Sequence, residues 1–254
     1  MVTRVGVKTP AEANVRLDLV RLATRSGGAI AALDYQARRP RGVTLVVGHG
    51  YSSSKHNLDV LCAFLASHGY RVVSVDFPGH KLGASGGMLQ SIDDLTETLA
   101  AAVRYARAAD SPAAIYAVGH SMGATTALRA CAADPALAGA IAIATGYGRP
   151  RALAAIALRG AIDLRSSYVD GLSLREIVAQ TDAILDAALA ELAGRPVLYL
   201  AAARDGMVTP ASAAELFARA PEPKTFVTIE SDHTSAGENA RAAVLAWLSE
   251  RHPR

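Results

Sequence analysis

Cysteine is almost missing from this chain of 254 residues: Cys62 and Cys131 are the two present, each among small apolar neighbours in a stretch that reads as helix. Two such thiols argue for reduced, buried side chains and against a disulfide framework or a metal pair. Aromatic residues make up only 5% of the sequence, so alanine does much of the filling of any core. No run reaches the ~18 apolar residues that a membrane span requires. Residues 1–14 hold no apolar h-region, so no secretory leader is expected and the default compartment is the cytoplasm. Histidines nowhere share metal-ligand spacing on one face, so neither a metal nor a cofactor is expected. The net charge is +3, but the arginines are scattered, from Arg4, Arg38 and Arg39 to Arg149, Arg151 and Arg254. With no basic cluster alternating with exposed aromatics, a nucleic-acid surface is not expected, and the charge serves solubility.

What is there is an alternation. Residues 15–19 place Val15, Leu17 and Leu19 on one side and Arg16 and Asp18 on the other, a half-exposed strand, with Val20 and Leu22 carrying it on in a slipped phase. Ser26-Gly27-Gly28 turns the chain into a second strand at 29–35, completing a hairpin. Continuous apolar runs of the kind buried on both faces follow at 43–47, 71–75, 113–118, 139–144, 195–201 and 224–229. Helices at 57–68, 91–108, 124–131 and 241–251 separate or close them, the second opened by Ser91 and the acidic pair Asp93-Asp94. Strands alternating with helices imply a mostly parallel sheet with helices on both faces and an antiparallel hairpin at its start. A chain of this length fits one α/β domain, 1–254.

Residues 145–195 break the alternation. A crossover needs one helix, yet this stretch offers helix-like segments at 151–158, 172–179 and 182–192 and no convincing strand. The surplus reads as an inserted helical cap over one edge of the sheet. Its apolar positions, such as Ile156, Leu158 and Ile162, or Ile177, Ile184 and Leu185, need something to bury against.

The sharpest local signal is Gly119-His120-Ser121-Met122-Gly123, preceded by a buried strand and followed by an alanine-rich helix. Strand, G-x-S-x-G, helix is the setting of a nucleophile elbow. The glycines allow a tight turn that leaves a serine hydroxyl exposed. The helix N-terminus points N–H groups and its positive dipole end toward the place where an oxyanion would form.

From these residues on, the chain resembles the α/β-hydrolase superfamily over nearly its whole length. The resemblance implies a triad in the order serine, acid, histidine, each at a strand end. Ser121 is then the nucleophile. Asp205, in the D-x-x-V-x-P loop Asp205-Gly206-Met207-Val208-Thr209-Pro210, is the acid, and His233, in Glu230-Ser231-Asp232-His233, is the base. A plain turn before Gly206 is the competing reading of Asp205, and Asp232 is a rival acid whose alternative is local hydrogen bonding. His120 resembles a packing residue of the elbow. Gly48-His49-Gly50-Tyr51 resembles the family's His-Gly-X loop, which implies an oxyanion hole made of the Tyr51 and Met122 backbone N–H groups. The Tyr51 ring either lines an acyl pocket or half-covers its loop. The stretch from Asp76 to Gly87 resembles the family's D-x-x-G-x-G-x-S segment with extra residues inserted, and reads as scaffold.

The chemistry implied is cleavage of a small-molecule carboxylic ester through an acyl-enzyme, with a small to medium acyl chain or a monoacylglycerol-like lipid as substrate. A serine hydroxyl needs a base near neutrality, and a histidine held in one tautomer by a carboxylate supplies it. A thioesterase, an amidase or a carbon–carbon bond hydrolase would use the same three residues. A non-catalytic receptor on the same fold is the rival from another class, and it has no chemical need of the full set.

Overall fold

A computed structural model describes residues 14–149 and 159–253 of the chain. The N-terminal hairpin forms from β1 (Val15–Ala23) and β2 (Ala29–Ala37), paired antiparallel from Val15↔Ala37 to Ala23↔Ala29. Its phase differs from the simple alternation expected at 15–19. Leu17 and Leu19 point outward, 51% and 64% exposed, while Leu22 is buried and Val20 packs against the core. The inner face is set from the Leu22 end. Asp18 turns inward, where its carboxylate accepts a hydrogen bond from Gln36 Nε2 at 3.0 Å.

The remaining strands are β3 (Val43–Gly48), β4 (Arg71–Val75), β5 (Ala114–His120), β6 (Gly139–Ile143), β7 (Val197–Ala202) and β8 (Lys224–Ile229); all but β8 are buried as expected, whereas β8, at the edge of the sheet, buries only Ile229. The sheet order is β1-β2-β4-β3-β5-β6-β7-β8, with β3 to β8 parallel to one another and β2 antiparallel to β4. Placing β3 and β5 side by side aligns Gly48 with Gly119, so the loop after one strand meets the turn after the other.

Helices cover both faces, as parallel strands require. On one face α2 (Ile92–Asp110) and α3 (Met122–Ala133) pack with Leu95, Leu99 and Leu128 buried. On the other, α1 (Asp59–Ser67) and the C-terminal helix (Arg241–Arg251) bury Leu61, Leu65, Val244 and Trp247. Each fully buried leucine contributes roughly 1.5–3 kcal/mol of transfer free energy. Asp94 caps α2, its Oδ2 accepting the Ser91 N–H at 2.9 Å.

Between β6 and β7 lie α4 (Arg159–Ser166) and α5 (Leu174–Glu191). The expected helix at 151–158 lies outside the described residues. The segments expected at 172–179 and 182–192 form one helix rather than two, because the polar step at Gln180-Thr181-Asp182 does not break it. Thr181 is buried and its hydroxyl donates to Ile177 O at 3.1 Å, so the helix runs through. After β7 comes α6 (Pro210–Arg219), a helix beyond those expected from the sequence. Its signals are Thr209 as N-cap, accepting from Ser212 N–H at 3.2 Å, and Pro210 at the first helical position.

Candidate active site

β5 ends at His120 and α3 begins at Met122, leaving Ser121 alone to make the turn. It does so at φ 55°, ψ −114°, a left-handed conformation that costs a non-glycine residue on the order of 1–3 kcal/mol. Its N–H donates to Ile143 O at 2.8 Å, which fixes the turn to the neighbouring strand. The two flanking glycines are demanded by space. A Cβ on Gly119 would collide with the backbone of Gly123, and a Cβ on Gly123 with the backbone of Gly48 and His49. The motif is therefore a packing necessity that lifts the Ser121 side chain off the sheet edge.

Asp205 stands just beyond β7. Its Oδ1 accepts the N–H groups of Met207 and Val208 at 2.8 and 2.7 Å, and its Oδ2 lies 2.7 Å from His233 Nδ1. Asp205 thus makes the local turn and reaches the histidine with its other oxygen. His233 Nε2 is 3.1 Å from Ser121 Oγ. Because a carboxylate can only accept, the network assigns the Nδ1–H tautomer, leaving the Nε2 lone pair toward the serine hydroxyl. Asp232 points elsewhere: it is exposed, accepts Ser235 N–H at 2.8 Å, and that bond holds its carboxyl below the usual range.

His120 has a job that its place in the motif did not reveal. Its Nε2–H donates to the main-chain O of His233 at 2.8 Å, the two rings lying 5.0 Å apart. Burial first, and the neighbouring His233 second, push its pKa down to about 4, so it stays neutral and clamps the loop of the second histidine.

The loop after β3 packs directly on the elbow. A Cβ on Gly50 would lie 3.2 Å from His120 Nδ1 and 3.5 Å from Ser121 Cβ. His49 is wholly enclosed, with Nδ1–H donating to Gly50 O at 2.7 Å and Nε2 accepting Phe77 N–H at 3.0 Å. Burial lowers its pKa to about 3. Lys55 ends this loop in a buried ion pair with Asp76 at 2.5 Å, and Asp76 also accepts the N–H of Ala84 at 2.8 Å. The inserted stretch 76–87 is thereby tied to the loop beside Ser121. Tyr51 both lines the cavity and spans to residues 145–195, its hydroxyl donating to Leu172 O at 2.9 Å. Among the described residues its backbone N–H meets no acceptor. Met122 opens α3, so its N–H has no intrahelical partner either.

These groups surround a cavity of ≈ 60 Å³ whose lining includes Ser121, His233, Tyr51, Arg149, Arg165 and Leu174. Roomier concavities of ≈ 710 and ≈ 800 Å³ lie elsewhere and bring no histidine to a serine, so size does not mark the chemistry here. Arg149, Arg165 and Leu174 come from residues 145–195. Farther along, 168–172 are strapped to 79–89 by Lys81 N–H to Tyr168 O at 3.0 Å and Leu172 N–H to Leu89 O at 2.9 Å. Arg149 is a functional candidate that the sequence alone does not single out. Its one signal was its place just past a buried strand, at the same sheet edge as Ser121. Among the described residues no three potential metal ligands cluster, and no helix is long and apolar enough to cross a membrane.

A family model described as serine aminopeptidase, S33 matches residues 38–184, more than half of the chain. No curated protein matches the sequence. Among solved structures, an esterase of Pyrococcus furiosus is similar with a TM-score of 0.73 at 19% identity, over 98% of this chain and 93% of that one. The esterase Est1E of Butyrivibrio proteoclasticus, solved with ferulic acid, gives 0.74 at 19% identity, over 92% and 100%. A cold-adapted esterase from an Arctic intertidal metagenomic library gives 0.70 at 18% identity, over 95% and 96%. At such identities the likeness speaks for the fold.

Proposed function

The chain belongs to the serine aminopeptidase S33 family of α/β hydrolases, and on that premise we propose that it is a serine hydrolase that cleaves carboxylic esters with short acyl groups. The observation that carries this reading is the Ser121–His233–Asp205 relay, with links of 3.1 and 2.7 Å, on a serine held at φ 55°.

In this reading Ser121 Oγ attacks the ester carbonyl carbon while His233 Nε2 takes its proton. The Asp205 carboxylate holds the imidazole in the required tautomer and stabilises the imidazolium. The tetrahedral oxyanion is held by the N–H groups of Tyr51 and Met122. His233 then gives its proton to the departing alcohol, and the same relay activates the water that frees the acyl group. Residues 145–195 act as a cap within one α/β unit, 1–254, and Leu174 closes the cavity from that side. The small, partly polar cavity supports a short acyl group over a monoacylglycerol-like lipid. The unpaired thiols Cys62 and Cys131, both buried, fit a reducing compartment such as the cytoplasm.

The family's description raises a peptide N-terminus as substrate. An α-ammonium needs a carboxylate to receive it, yet among the described residues the cavity is lined by two arginines and no acidic side chain. Like charges there would repel it. The test is hydrolysis of 4-nitrophenyl esters from acetate to decanoate, beside aminoacyl 4-nitroanilides. Ester turnover highest at short chains is expected. Turnover of the anilides with none of the esters would overturn the reading.

A further inference from the structure

Arg149 lies just past β6 at the edge that carries Ser121, and only 4% of it is exposed. Among the described residues its guanidinium has no ion-pair or hydrogen-bond partner, and its Nε is sealed from solvent without one. Two carboxylates, Asp205 and Asp182, act on it through space, and both are already engaged. Asp205 is held by His233, Met207 and Val208, and Asp182 accepts Gly148 N–H at 3.0 Å.

Among the described residues the other deeply buried arginine shows what a purely structural one looks like here. Arg71 forks onto Asp34 through Nε and Nη2 at 2.9 and 2.6 Å, and its Nη1 reaches Asp110 at 2.6 Å. Lys55 is likewise matched to Asp76. A buried cation left unmatched is costly, because its lost hydration is not replaced. Burial accordingly pulls the Arg149 pKa below its ordinary value. Arg149 lines the cavity over Ser121, and a second cation, Arg165, lines it too, steadied by Ser52 Oγ at 3.2 Å.

Resting on the ester-hydrolase reading, we propose that Arg149 is the anion receptor of this cavity, and that the physiological substrate is an ester carrying a carboxylate close to its scissile carbonyl. A guanidinium fork matches a carboxylate in a bidentate, charge-assisted pair. Such a site selects strongly, because a neutral analogue leaves the buried charge unmatched. Arg149 is thus a specificity-determining residue, separate from the bond-breaking relay.

The test compares kcat/KM for monomethyl succinate and glutarate with methyl butanoate and pentanoate, and for 4-acetoxybenzoate with its neutral methyl ester. The first set puts the carboxylate on the acyl side, the second on the alcohol side. The enzyme should favour the carboxylate ester in at least one set. That ratio should fall about 100-fold in Arg149→Met and be partly retained in Arg149→Lys. Neutral esters preferred in both sets, or a ratio untouched by Arg149→Met, would overturn the proposal. Calorimetric titration of the unaltered protein with glutarate decides the matter without catalysis and without relying on a variant that folds. Binding that weakens with salt is expected, and no binding would refute the receptor. Glutarate binding without turnover of any ester would refute the hydrolase reading and leave the anion site standing.

Discussion

From Gly119 to Gly123 the chain has no slack: two glycines admit no side chain, Ser121 is forced left-handed, and its N–H is tied to β6. Between 159 and 192 it is held differently, by the apolar face of α5, a short strap onto 79–89 and a few side-chain bonds such as Tyr51 to Leu172 and Arg165 to Ser52. The first region is fixed by steric exclusion and the second by apolar burial with a few polar ties. That difference divides the work. A rigid edge can keep reacting groups within a few tenths of an ångström of their required places. A segment whose identity depends on which apolar or charged side chain faces inward can change preference without disturbing the reaction.

If the division holds, substitutions at the edge abolish turnover and substitutions above it redirect turnover. Ser121→Ala should lower ester hydrolysis by ~10⁴-fold or more, read as kcat at saturating ester, because the relay acts as a unit. Asp205→Asn should cost about 10⁴-fold with the thermal transition nearly retained, since the amide favours the wrong tautomer of His233. Asp232→Asn, which removes only a surface turn bond, should stay within a few-fold, and the reverse ranking of the two would put the acid in the wrong place.

Leu174, buried at the start of α5 and facing the cavity, is the probe of the other region. Leu174→Ala should move the preferred acyl chain to longer lengths, by about 10-fold in the ratio of kcat/KM values, as expected for one or two methylenes of pocket. An unchanged chain-length profile would separate this segment from selectivity.

The smallest effect expected concerns pH. His49 is buried and His120 half-buried, and both are neutral, with pKa values pushed down to about 3 and about 4 from an ordinary value near 6.5. The unfolded chain binds protons on them below pH 6.5 while the folded one does not, so stability is full above 6.5 and falls as pH drops toward 4. Urea midpoints between pH 7 and 4.5 should show this decline, and His49→Gln should flatten it. A midpoint independent of pH in that window would contradict the enclosure of both rings in neutral form.

The two regions also differed in how far they could be read from residues alone. The sheet was legible because buried strands leave continuous apolar runs, and Arg71–Val75 was delimited to the residue. The elbow was legible because only glycine fits at 119 and 123, and a requirement of that kind is written into the sequence itself. Asp205 and His233 came from loops that resemble those of other hydrolases, not from any local pattern, since neither reaches Ser121 until β7 and β8 are placed beside β6. The phase of β1 was misjudged because Leu17 and Leu19 are exposed on an edge strand, where hydrophobicity does not report burial. The break expected near residue 181 did not occur because a threonine can bond back to its own helix. Arg149 carried no sequence signal beyond its place past a buried strand. A scattered arginine becomes notable only when the carboxylates around it are seen to be bonded to other groups.

The central claim is that Ser121 is a nucleophile activated by His233. Its most direct test is labelling with a fluorophosphonate followed by peptide mass analysis, on the unaltered protein and on His233→Ala. Stoichiometric modification of Ser121 that is lost or slowed by about 10³-fold or more in His233→Ala is predicted. Labelling at Ser52, Ser53 or Ser54 instead, or equal labelling of Ser121 with and without His233, would contradict it.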